Sequence, residues 1–206
     1  HDWVKGFGLN LPDPVPVDTI NNVDIEGKSV QIGIGIHDSS ASLAPYFSDI
    51  NKFILISTGT WCISMNPFNR ETLTSGQLDK DCLCYLSITR QPVKSSRLFL
   101  GHLHETAVKK ITDHFNRPDY NYKKIKADKH LLSVLKTKYK EKKVFFQTRL
   151  NSRDLKDHID LYEFTSLEEA YHQLMNELCQ LAHEAIELII PLNDETSNIY
   201  ITGGFS

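Results

Sequence analysis

Three short segments carry residue types that could do chemistry. Gly35-Ile36-His37-Asp38-Ser39-Ser40-Ala41 places a carboxylate at the carboxyl end of a predicted strand, where α/β folds bind ligands. A carboxylate there can take the proton of a substrate hydroxyl. The plain alternative is a helix cap by Asp38, since Asp or Ser before small residues marks a helix start. Ser57-Thr58-Gly59-Thr60-Trp61 sets a glycine between hydroxyls. Glycine lets the backbone approach an anion, and hydroxyl and amide hydrogens donate to it. Its plain alternative is a hairpin turn. Thr202-Gly203-Gly204 follows a strand, and bare backbone there would let a flat or phosphorylated ligand lie close. Its plain alternative is a loop leading into a helix.

Other clusters carry less. His102 and His104 stand two apart, which puts them on divergent faces of a helix, not at the four-residue spacing of a helical metal pair. They are expected to be surface histidines. Gly-x-x-x-x-Gly-Lys and Gly-x-Gly-x-x-Gly loops are absent, which disfavours a P-loop enzyme or a Rossmann dehydrogenase.

The elements that must position the three segments follow from periodicity. Residues 8–28 read as loop, with Pro12, Pro14 and Pro16 forcing extended backbone. Ser29–Ile36 alternates as a strand, and helical turns are expected over Ala41–Phe47. Phe53–Ser57 and Cys62–Met65 form a hairpin about Gly59. Asp81–Thr89 reads as a further strand, so that four strands make a meander. Leu98–Phe115 has helical spacing of its apolar residues. A clearer helix starts at Thr165 or Ser166, where Glu168 and Glu169 complete a capping box, and runs to Ile190 before Pro191. The last strand is Asn198–Ile201. A long helix feeding a strand predicts an α/β fold with a parallel addition.

Composition bounds the rest. The 206 residues are 40% apolar and 24% charged, which excludes disorder, and a net charge of -3 gives no pull toward nucleic acid or anionic membrane. No apolar run approaches the roughly 20 residues of a membrane helix. Residues 121–143 hold nine lysines against Asp128 and Glu141, a local charge of +7. Without interleaved aromatic platforms this reads as a solvated, partly helical insert and not as a nucleic-acid site. Cys62, Cys82, Cys84 and Cys179 lie in apolar runs and are expected to be buried, reduced thiols of a cytoplasmic protein. Both termini read as interior cuts of a longer chain.

In their order and separation the three segments resemble the FGGY carbohydrate kinases of the actin-like ATPase superfamily. The pair His37-Asp38, the run Ser57 to Trp61 and the proline loop Leu9 to Asp18 look most like the rhamnulokinase and L-fuculokinase branch. The resemblance implies a ribonuclease-H-like α/β architecture, a mixed sheet with flanking helices. Residues 1–48 would be the tail of a sugar-binding domain, and 49–206 an incomplete nucleotide-binding domain. It implies an ATP-dependent kinase acting on a ketose or deoxy-ketose, with Mg²⁺ bridging the phosphates. Asp38 would be the general base and His37 would touch the sugar. Thr58, Gly59 and Thr60 would meet the phosphates, and Gly203 and Gly204 would flank the adenosine. Sugar and ATP are the implied partners, with no nucleic acid and no membrane, and a homodimer is left open. No protein residue is assigned to a metal. Phe205 stands where the family often has a third glycine. The rival expectations are an actin-like sensor that binds without catalysis, or an inactive piece of the kinase.

Overall fold

The run Phe53-Ile54-Leu55-Ile56 is buried on both sides and forms the middle of the molecule. The computed structural model describes residues 2–12, 15–48, 51–140, 142–146 and 159–204. In chain order it has α1 (Asp2–Gly6), β1 (Ile20–Ile25), β2 (Lys28–Gly33) and α2 (Asp38–Leu43), then β3 (Phe53–Thr58), β4 (Cys62–Asn66) and α3 (Ser75–Leu78). Next come β5 (Cys82–Leu86), β6 (Pro92–Leu98), α4 (Leu100–His114), α5 (Lys129–Lys138), α6 (Leu167–Glu187) and β7 (Asn198–Gly203). Among the described residues no helix is long and apolar enough to cross a membrane.

Five strands form one mixed sheet in the order β5-β6-β4-β3-β7. Only the β3–β7 pair is parallel; β3–β4, β4–β6 and β5–β6 are antiparallel. Alternation along β3 divides the core in two. Phe53 and Leu55 face Leu43, Met65 and Val93, with Tyr46, Phe47, Phe68 and Tyr200 around them. Ile54 and Ile56 face the opposite way, into the larger cluster of Cys62, Leu98 and the apolar stripes of α4 and α6. The sheet is thus covered by α2 on one side and by α4 and α6 on the other. The expected α/β class, with a parallel strand added after the long helix, is the one observed.

Several expectations need correction. The predicted loop over 8–28 contains β1, which pairs antiparallel with β2 from Ile20↔Gly33 to Ile25↔Lys28. A two-residue turn at Glu26-Gly27, both with positive φ, joins them, and Asp24 accepts the Gly27 N–H at 2.9 Å. Every residue of this hairpin is exposed, and it lies outside the main sheet. The meander therefore fails: the fourth strand of the sheet is β6, which sequence reading left out. β6 begins at proline and carries Lys94, Ser95 and Ser96, so it lacks an apolar pattern. Cys62 and Cys82 are buried, but Cys84 and Cys179 are exposed. Cys84 lies on the edge strand β5, which has one neighbour only, and Cys179 lies off the buried stripe of α6. Burial, with Cys179 nearby as a smaller cause, pushes the Cys62 thiol up to about 11, which makes it a packing residue.

α6 is the spine of the larger core. Ser166 caps it by accepting the Glu169 N–H at 3.1 Å, and the Glu169 carboxylate reaches back to the Thr165 N–H at 2.8 Å. Its far end meets side chains from the sheet region. Ser96 donates to the Ala185 carbonyl, Gln77 to Leu188, and Asn66 and Asn69 both donate to Ile189. The carbonyls left over at a helix end are thereby satisfied. This gives polar residues of β4 and β6 a place inside the protein.

Midway along α6, Glu177 is 1% exposed. Its carboxylate accepts the backbone N–H groups of Val144 at 2.7 Å, Phe145 at 3.0 Å and Phe146 at 3.3 Å, and the Gln173 amide at 2.9 Å. One side chain thus docks the chain that follows α5 onto α6. Replacing it with an apolar residue would leave those amides buried without acceptors. Glu177→Leu is expected to lower stability by about 3 kcal/mol or more in urea unfolding, and Glu177→Gln, which keeps an acceptor oxygen, by clearly less.

Candidate active site

The carboxyl ends of β3 and β7 meet at Thr58 and Gly203, which are direct partners in the parallel ladder. The Thr58 hydroxyl donates to the Thr202 carbonyl at 2.8 Å, and the Thr58 carbonyl accepts the Gly204 N–H at 3.0 Å. Gly203 has φ +101, and a Cβ there would land on the Thr58 carbonyl oxygen. Only glycine permits this approach. Four predicted site residues, Thr58, Gly59, Gly203 and Gly204, are thus brought to one place. The Thr58 hydroxyl proton is engaged in holding β7.

Beyond Thr58 the chain turns through Gly59-Thr60-Trp61 into β4, which confirms the hairpin. The turn is braced from two sides. The first turn of α4 packs on it: the Gly101 N–H donates to the Thr60 carbonyl at 3.0 Å. A Cβ on Gly101 would stand 2.8 Å from Gly59 O and Thr60 Cα. On the other side Trp61 stacks on Phe99 with ring centroids 4.5 Å apart, and the Arg97 guanidinium lies 5.3 Å from the Trp61 ring. Gly204 has open space where a side chain would be.

A cavity of about 320 Å³ opens here, lined by Gly59, Thr60 and Gly204 and, across from them, His104, Tyr122 and Tyr171. His104 is 5% exposed, not on the surface as expected, because α4 presents it to α6. Its Nε2 lies 3.2 Å from the Tyr171 hydroxyl, and the Tyr122 ring stands edge-on at 5.1 Å. Burial, opposed by Glu105, holds the His104 imidazole below its usual range, so it is neutral near pH 7. Burial, with Tyr122 adding to it, pushes the Tyr171 hydroxyl up to about 12. The cavity therefore offers bare backbone on one wall and aromatic groups on the other, with the Glu105 carboxylate also lining it, an arrangement suited to a flat ring. His102 does point elsewhere and stacks on Phe99.

Asp38 stands on the other face of β3. It shares a groove of about 220 Å³ with Ser42 of α2 and Ser57 of β3. Ser57 faces the α2 side of the sheet, whereas Thr58 faces the α4–α6 side, from which Gly101 and His104 line the cavity. Asp38 is not the helix cap. His37 takes that position, its Nδ1 accepting the Ser39 N–H at 3.2 Å, while Asp38 sits in the first turn with Oδ1 accepting the same N–H at 2.7 Å. The Asp38 side chain is 94% exposed and that of His37 68% exposed, with Nδ1 and Oδ1 3.0 Å apart. The Asp38 carboxylate is held at the open mouth of the groove. Ser40 anchors α2 by donating to the Leu86 carbonyl at 2.6 Å. Tyr85 of the same strand lies 5.9 Å from the His37 ring. Burial, and then the Asp38 charge, push its hydroxyl well above the usual tyrosine range.

Sequence reading did not assign Gly101, His104, Tyr122 or Tyr171 to the site. Gly101 at the start of an apolar helix was the one available signal of a close approach. Phe205 lies outside the described residues. Among the described residues no group of three His, Cys, Asp or Glu side chains could hold a metal ion.

Two outcomes follow. Gly203→Ala should lower stability by about 3 kcal/mol or more in urea unfolding, from the collision with Thr58, and Gly204→Ala by less than about 1 kcal/mol. The unfolded chain binds a proton at His104 near pH 6.5, above the folded value. Stability is therefore complete above that pH and is lost as pH falls toward the folded pKa. His104→Gln should show a shallower decline than the parent between about pH 7 and pH 5, read from unfolding midpoints.

Comparison with known proteins bears on the fold and the family. The fold resembles the crystal structure of a carbohydrate kinase from Novosphingobium aromaticivorans, with 23% identity, a TM-score of 0.56, and 84% of this chain and 37% of that one covered. A xylulose kinase from Bifidobacterium adolescentis matches with 15% identity and a TM-score of 0.49, over 81% of this chain and 31% of that one. The chain thus spans about a third of the length of these kinases. No curated protein sequence matches it. The family described as "Carbohydrate kinase FGGY, C-terminal domain" matches residues 50–153, half of the chain and the stretch that holds the hairpin, the α4 brace and the lysine-rich segment. By that match the chain belongs to the FGGY carbohydrate kinases.

Proposed function

We propose that this chain is the nucleotide-binding part of a sugar kinase that transfers the γ-phosphate of ATP to a hydroxyl of a ketose or deoxy-ketose. The observation that carries the reading is the meeting of Thr58, Gly59, Gly203 and Gly204 at one sheet end, with Asp38 across β3 from them. Residues 1–48 would belong with the sugar-binding domain and 49–206 with the nucleotide-binding one. His37-Asp38 and Ser57 to Trp61 favour the rhamnulokinase and L-fuculokinase branch.

In this reading Gly59 and Gly204 give a nucleotide close access to backbone, since neither would meet a protein atom nearer than 3.9 Å with a Cβ added. The Thr60 hydroxyl and the amides of the turn donate to the phosphates, and Thr58 contributes by fixing β7. Asp38 accepts the proton of the attacking sugar hydroxyl, for which its exposed carboxylate is available. Phosphoryl transfer asks mostly for positioning and charge neutralisation. Mg²⁺, if bound with ATP, would supply that neutralisation.

The test is ADP release by the full-length gene product with ATP, Mg²⁺ and a panel of ketoses. One sugar should stimulate release. Asp38→Asn should lower kcat by about 10²- to 10⁴-fold while the KM for that sugar stays within a few-fold. If no sugar stimulates release, the chain binds without catalysis and the sensor reading replaces this one; if a sugar stimulates release and the variant matches the parent, Asp38 is not the base.

A further inference from the structure

The lysine-rich segment, which the strand-end cavity barely uses, builds a second and larger cavity of about 670 Å³. It lies where the end of α4, the 3-10 turn Asp119–Lys124 and the starts of α5 and α6 come together. Its floor is apolar, made by Phe115, Ile125, Leu131 and Leu167. Its rim carries Arg117, Lys124 and Lys126.

These cations differ from the other lysines of the segment. Lys138, Lys142 and Lys143 pair with Glu169, Glu163 and Glu184 and fasten the segment down. Arg117 and Lys126 have no carboxylate partner among the described residues. Two carboxylates also face the cavity. That of Asp128 is engaged by the His130 and Leu131 amides, which hold it below the usual range, and that of Glu168 is exposed at the rim. The starts of α5 and α6 add their positive ends.

One wall separates this cavity from the strand-end one. Asn121, Lys124 and Ile125 line the large cavity, and Tyr122 between them lines the small one. On α6, Glu168 and His172 line the large cavity, and Tyr171 lines the small one. The Asp128 N–H donates to His172 Nε2 at 2.9 Å and closes the wall.

We propose that this cleft binds an organic phosphate, its anionic group on Arg117 and Lys126 and its carbon part on the apolar floor. The site is a second one, independent of the kinase reading, and shares the wall at Tyr122 and Tyr171 with the strand-end cavity.

The test is isothermal titration of the full chain with phenyl phosphate, inorganic phosphate and, as a neutral control, benzyl alcohol. Phenyl phosphate should bind with a Kd of about 1 mM or tighter, at least about fivefold more tightly than inorganic phosphate. Arg117→Glu/Lys126→Glu should weaken it by about tenfold or more, while Lys136→Glu/Lys140→Glu, an equal charge change at exposed lysines away from the cleft, should not. The milder Arg117→Gln/Lys126→Gln pair gives the same reading if the charge reversal disturbs folding by circular dichroism. Unchanged affinity in both double variants overturns the proposal and assigns the probe to the strand end. Equal binding of the two phosphates, or none at about 10 mM, also overturns it.

Discussion

Everything at the sheet end depends on how closely two backbones approach. Gly203 lies against the Thr58 carbonyl with no room for a side chain, and this brings β7 into register along the full length of β3. The same contact sets Gly204 beside Gly59. Replace the glycine and β7 must lift away, and the bare backbone on one wall of the cavity is lost. The Thr58 hydroxyl, bonded to Thr202, holds the pair from the opposite direction. A steric allowance and a hydrogen bond act together at one position.

The rest of the architecture keeps that end rigid. β3 is buried on both faces, so neither Ser57 nor Thr58 can shift without disturbing a core. Gly101 lets α4 rest on the turn, and the Trp61–Phe99 stack closes its outer side. α6 supports α4 through packing, and it carries Tyr171 to the cavity. Glu177 and the side chains that meet the far end of α6 fix that helix along its length. Rigid walls of this kind suit a site whose work is positioning.

Much of this was legible in the sequence where one physical signal dominated. The apolar run of β3, the capped amphipathic α6 and the strand before Gly203 are read directly from periodicity, and the glycine segments mark the sheet end. The failures have identifiable causes. β6 reads as loop because Lys94, Ser95 and Ser96 are polar, and only the helix end opposite gives Ser96 a buried partner. β1 was hidden because its apolar residues Ile20, Val23 and Ile25 do not alternate and the strand is exposed throughout, whereas its partner β2 alternates and was read. Helix-start statistics suggested Asp38 as a cap, yet the backbone places His37 one residue earlier in that role. His104 looked superficial because its cover comes from Tyr122 and Tyr171, which are remote in sequence. Long-range partners of this kind leave no local trace.

The pairing of β3 with β7 also has a kinetic side. Thr58 and Thr202 are 144 residues apart in sequence, so their contact closes well over half of the 206 residues into one loop. Contacts of such separation carry a large closure entropy and form slowly. The hairpin of β3 and β4, closed by three residues, needs none of this. The strand-end cavity is therefore absent from any chain that has folded only its local elements, and it comes into being with the final topology. A molecule lodged between Gly59 and Gly204 would bind the finished fold alone, stabilising the slowest-formed pairing by mass action and distinguishing finished chains from unfinished ones.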